Sequence, residues 1–97
     1  QQAKRGCVQR ATMSIRTGDY QDAVEYFEKA IQYDADEQLE IQLRFAKARL
    51  KLEQAEKALR GGNQQLAMDL ARASIWFCRT SEADAFLKQF ATSQESR

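Results

Sequence analysis

The chain has 97 residues, 43% apolar and 30% charged, with a formal net charge of +1, no histidine and no proline. That length makes one domain with one core. The balanced charge gives no global pull toward nucleic acid or acidic membrane, and the missing histidine removes the commonest general base and metal ligand together. No apolar run nears the ~20 residues of a membrane span, and no signal-peptide core is visible. Alanine, leucine, glutamine, glutamate, lysine and arginine dominate where strand-forming runs would need valine, isoleucine and threonine, so the fold class is all-α.

Five helices follow in chain order. The first is expected over about 3–16, with Val8, Ala11 and Ile15 on one face and Cys7 beside it. Thr17-Gly18-Asp19 breaks it, and Asp19 can cap the next helix, expected over 20–33. In that second helix Ala23, Phe27, Ala30 and Ile31 recur on one face, with the small alanines admitting a close neighbour. Asp34-Ala35-Asp36-Glu37 supplies a break and a pattern resembling a capping box.

The third helix is expected over 37–60, about 36 Å at 1.5 Å per residue. It carries two stripes, Phe45, Ala48, Leu52, Ala55 and Leu59, and beside them Leu39, Leu43, Ala46 and Leu50. Two stripes imply neighbours on two sides. Gly61-Gly62 ends it through left-handed glycine. Asn63 can cap a fourth helix over 64–79, with Leu66, Ala67, Leu70, Ala71, Ser74 and Ile75 inward. Ser81 and Asp84 are spaced for a second capping box before a fifth helix over 82–91. Residues 92–97 read as a polar, frayed tail. The missing initial methionine points to a piece of a longer protein.

Shifted by 44, the separation of Gly18 and Gly62, the chain overlays itself. Val8 meets Leu52, Ala11 meets Ala55, Ile15 meets Leu59, Ala23 meets Ala67, Glu25 meets Asp69 and Ile31 meets Ile75. Two helical hairpins that cannot bury their faces singly, plus a covering helix, account for this.

Gly18, Asp19, Tyr20, Ala23, Phe27 and Ala30 resemble the second half of a tetratricopeptide repeat, Gly-Asp-Tyr-x-x-Ala-x-x-x-Phe-x-x-Ala. The second unit keeps Gly62, Asn63 and Ala67 and departs at Gln64, Ala71 and Ser74. In the first helix Cys7, Arg10 and Ser14 replace the usual tryptophan, leucine and tyrosine, and Ala35 replaces a proline. The hairpin with its long third helix also resembles the microtubule-interacting and transport domain, whose three helices leave Gln64–Phe90 over. The tetratricopeptide resemblance implies a right-handed stack of antiparallel hairpins that binds a peptide or helix of another protein. One groove of that family clamps acidic tails with lysine and paired asparagines. Asn63, at a turn, is the single asparagine here, so that clamp is not built from its usual residues.

Chemistry-bearing patterns are sparse. Asp34, Asp36, Glu37 and Glu40 read as helix-capping and solvated carboxylates, and Gly61-Gly62-Asn63 lacks the Lys-Ser/Thr of a phosphate loop. Cys7 and Cys78 belong to no ligand-spaced set, read as buried structural thiols, and fit a reducing, cytoplasmic setting. No catalytic residue, metal or cofactor is expected. Residues 19–40 hold eight acids against Lys29, and residues 44–60 hold six bases against Glu53 and Glu56. Complementary neighbouring helices explain this, as does a basic face that steers an acidic partner.

The partner-binding residues expected are Arg44, Lys47, Arg49 and Lys51 for charge, with Tyr20, Tyr26, Trp76 and Phe86 for apolar contact. The reading is therefore a non-catalytic adaptor for a peptide or helix of a partner. A homodimer through the long helix or the Trp76–Phe90 end is the alternative. RNA binding by the basic helix is a third reading, disfavoured because no aromatics interleave with the bases.

Overall fold

The computed structural model describes residues 2–95, with side-chain environments for residues 3–90. All its regular structure is helical: α1 (Gln2–Thr17), α2 (Tyr20–Tyr33), α3 (Glu37–Arg60), α4 (Gln64–Phe77) and α5 (Ser81–Glu95). The packing is that of helical hairpins, in two compact units, Gln1–Lys47 and Ala48–Arg97, each with buried residues of its own where the length predicts a single core. Helix α3 is continuous for 24 residues and contributes to both. Of the expected polar tail, 92–95 are helical in α5 and 96–97 lie outside the described residues.

In the first unit α1 packs along α2. Its core is Ala11, Ala23, Phe27, Ala30, Leu39 and Ala46, with Val8, Ile15, Val24, Ile31 and Leu43 against it. Phe27 is the large knob, 1% exposed, set among alanines on three helices. In the second unit the end of α3 supplies Ala48, Leu52 and Ala55, α4 supplies Ala67, Ala71 and Ser74, and α5 supplies Ala83 and Phe90, all buried. The two stripes of α3 thus serve successive cores, Leu39 to Ala46 in one and Ala48 to Ala55 in the other. Ser74 Oγ donates to the Ala48 carbonyl at 2.6 Å, tying α4 to α3 with a buried polar bond.

The period of 44 governs backbone geometry as well as residue type. Gly18 and Gly62 have φ of 84° and 87°, the left-handed region where a Cβ is strained. Each closes a Schellman end. Gly18 N–H bonds the Ile15 carbonyl and Asp19 N–H bonds Ser14, and Gly62 to Leu59 and Asn63 to Ala58 repeat the pair. Asp19 and Asn63 then cap α2 and α4, each accepting at 3.1 Å from the amide three residues on. At the far ends, Asp34 and Cys78 leave the helix in matching extended conformations. That extended turn stops α4 at Phe77, two residues before the expected end.

The same shift maps the core onto itself. Ala11, Ala23, Phe27, Ala30, Leu39 and Ala46 fall on Ala55, Ala67, Ala71, Ser74, Ala83 and Phe90, and every one is buried. The aromatic has changed helices. The first unit has Phe on its second helix and Ala on its third, and the second unit has the reverse. Ala71, where the repeat resemblance expects phenylalanine, is buried, and the buried phenylalanine of the second unit is Phe90.

Two caps sit one or two residues away from expectation. Asp36, not Asp34, accepts from the Gln38 amide, while Asp34 pairs with Lys4 at 3.0 Å. Thr80, not Ser81, accepts from the Ala83 amide, and Asp84 pairs with Arg79 at 3.2 Å. In both cases the capping oxygen belongs to the residue one position before the helix; Ser81 already stands inside the first turn of α5, and Asp34 stands two residues too early. Cys7 and Cys78 are free and half-buried rather than buried.

Candidate partner-binding surfaces

The bases of α3 are committed to both sides of that helix. At 100° per residue Arg44, Lys47 and Lys51 share one face and Arg49 lies on another. Lys47 Nζ lies 3.7 Å from Glu28 of α2, and Arg49 lies 3.4 Å from Glu82 of α5. Acidic and basic helices are thus neighbours within each unit. Glu82 is held below the usual carboxylate range, first by its own backbone amide at the start of α5 and then by Arg49. Arg44 is exposed and Lys51 half-buried. Arg44 and Lys47 belong to the first unit, Arg49 and Lys51 to the second.

The expected aromatics occupy different settings. Tyr20 and Tyr26 are half-buried on α2. Two cations lie over the Tyr26 ring, the Arg10 guanidinium 5.2 Å and Lys29 Nζ 4.7 Å from its centre. Phe86 is half-buried and meets Phe90 edge-on, with ring centres 5.4 Å apart. Trp76 is 71% exposed and meets Phe77 edge-on at 5.2 Å. The C-terminal rings therefore divide, with Phe90 in the core and Trp76 on the surface.

Around Tyr26 the α1–α2 pair builds a polar cluster that sequence reasoning missed. Ser14 Oγ donates to Asp22 Oδ2 at 2.6 Å, and Arg10 Nε donates to the same oxygen at 2.9 Å. The Ser14 hydrogen bond and then Arg10 hold the Asp22 carboxyl below its ordinary value, and Asp22 in turn raises Arg10. The atypical residues of the first helix, Arg10 and Ser14, thus serve the carboxylate across the turn.

A second surface was also missed. Val8, Gln9, Thr12, Met13 and Arg16 line a shallow depression on the outside of α1. Met13 is 62% exposed. Helix α1 contains Lys4, Arg5, Arg10 and Arg16 and no acid. Lys4 and Arg10 turn to Asp34 and Asp22, while Arg5 and Arg16 are exposed. Eleven residues apart, these two share one helix face about 16 Å from end to end. The legible signal was the absence of acids over the 16 residues of α1, less conspicuous than the tight cluster Arg44, Lys47, Arg49 and Lys51 in α3.

Among the described residues no group of acids and cysteines is placed to hold a metal, and no helix is long and apolar enough to cross a membrane. Residues 14–60, from the end of α1 through α3, match the tetratricopeptide repeat family. No curated protein and no solved structure matches the chain.

Proposed function

We propose that this tetratricopeptide-like helical domain is a non-catalytic protein-interaction module, and that its ligand is an acidic segment of a partner protein carrying an apolar side chain. The family match supports the interaction role. The observation that carries the ligand class is the outer face of α1, where Arg5 and Arg16 bracket the half-buried Val8 and the exposed Met13 on an acid-free helix. An apolar anchor would seat on Met13 and Val8 while carboxylates at either end face the arginines, fixing register and speeding encounter. The bases of α3 contribute less, because Lys47 and Arg49 already face Glu28 and Glu82. Two free thiols fit a reducing compartment such as the cytoplasm.

Selection of a random displayed-peptide library on the immobilised domain tests this. Acidic sequences with an apolar residue should be enriched. They should bind an Arg5→Glu/Arg16→Glu variant at least about tenfold more weakly, with affinity falling as salt rises. Enrichment of uncharged sequences, or acidic ones indifferent to both arginines, would remove the proposal. A bound peptide at about a hundred times its Kd should also stabilise the domain by about 2.7 kcal/mol.

A further inference from the structure

The outward face of α4 is self-complementary. Gln65, Asp69, Arg72 and Trp76 are all exposed and follow one another at steps of four, three and four, which places them in a single line along the helix. Pairs taken from the outside inward, Gln65 with Trp76 and Asp69 with Arg72, share one midpoint between Leu70 and Ala71. A two-fold axis through that point, perpendicular to α4, sets a second helix antiparallel to the first. It brings Asp69 of each copy to Arg72 of the other and lays each Trp76 across the partner's Gln65.

The flanking row obeys the same axis. Leu66, 45% exposed, comes between Ala73 and Phe77 of the other copy, a large side chain beside a small one. Within one chain Arg72 and Asp69 form only a loose pair at 3.8 Å, with both side chains more than half exposed. Gln65 Nε2 donates to Asp69 Oδ1 at 3.1 Å, which holds the carboxylate in the line. The charges are therefore set where an antiparallel partner of the same sequence can take them.

We infer that α4 docks against α4 of a second copy of this chain, as an isologous, antiparallel helix pair. The corresponding face of α2 does not share this complementarity. The shift of 44 replaces Gln65, Asp69, Arg72 and Trp76 by Gln21, Glu25, Glu28 and Gln32, where two acids would oppose two acids. The surface is thus confined to the second unit. It is separate from the α1 face, so either proposal can fail without the other.

The line spans only about 16 Å, short beside interfaces of ~800 Å² per partner, so association should be weak and grow between about 10 µM and 1 mM. Sedimentation equilibrium across that range tests it. The wild type should approach dimer mass. Trp76→Ala should weaken association at least about tenfold, and Arg72→Glu should do the same by setting a carboxylate against Asp69 of the other copy. The exchange Asp69→Arg/Arg72→Glu should recover wild-type mass to within about threefold, since it restores both cross pairs. Circular dichroism on each variant confirms that the helices persist. A monomer throughout, or a dimer indifferent to Arg72→Glu, overturns the inference. A dimer abolished by Phe86→Asp but not by Arg72→Glu moves the interface to α5 and overturns it equally.

Discussion

Gly18 and Gly62 are in the left-handed region with no atom within 4 Å of where a Cβ would stand. Substitution by alanine therefore meets no clash and should destabilise by conformation alone, about 1–2 kcal/mol at each site in urea unfolding. Gly6 provides the internal contrast. It lies inside α1 with open space around it, so Gly6→Ala should stabilise by about 0.5–1 kcal/mol. A gain at Gly18 or Gly62 would refute the role assigned to their φ. Asp22 makes a residue-scale prediction about acid. Ser14 and Arg10 depress its native pKa, so the unfolded state takes up its proton first as pH falls. Its contribution is complete above the ordinary carboxylate pKa near 3.9 and is lost as pH drops through the native value below it. Asp22→Asn should flatten the dependence of Tm on pH below about pH 5, and a curve as steep as wild type would count against this.

At the scale of the element, the exchange of Phe and Ala between units is a testable packing statement. Phe27→Ala removes the largest buried side chain of the first core and should cost about 3–5 kcal/mol. Ala46→Phe in the wild type should overpack that core by about 1–3 kcal/mol. Together they reproduce the arrangement of Ala71 and Phe90, and the double variant should recover half or more of the loss in denaturant titration. Additive losses would mean that positions 27 and 46 do not share one volume. Ser74→Ala, which deletes the bond to the Ala48 carbonyl, should cost about 1 kcal/mol.

Existence and order of the helices, and most of their packing faces, were legible because alanine and leucine spacing, Gly18, Gly62, Asp19 and Asn63 all act locally; Leu66, expected inward in the first turn of α4, is instead 45% exposed. Caps at Asp36 and Thr80 were misplaced by a residue or two, since Asp34-Ala-Asp-Glu and Thr80-Ser-Glu offer several adjacent oxygens and only backbone conformation chooses among them. The candidate surfaces were less legible. Arg10, Ser14 and Asp22 come together only once α1 turns back on α2. Whether Trp76 or Phe90 faces inward depends on helix rotation rather than residue type.

For the whole molecule, the repeated ends imply that stability accumulates unit by unit. Duplicating residues 18–61 in frame joins Gly61 to Gly18 just as Gly61 joins Gly62, and so adds a full period without a new kind of turn. The longer chain should melt cooperatively at a higher Tm than the parent in calorimetry. A lower Tm, or two separate transitions, would show that the units are not interchangeable neighbours.

The shared helix α3 also bears on how such a chain can change over generations. Its first stripe finishes one core and its second begins the next, so the repeat has no seam that must be respected. A crossover between misaligned gene copies, wherever it falls within the period, exchanges a whole number of codons and rejoins helix to helix or turn to turn. Lengthening by recombination is then a small mutational step, and the exchanged Phe and Ala at positions 27, 46, 71 and 90 are what two copies would accumulate once each is free to repack by itself.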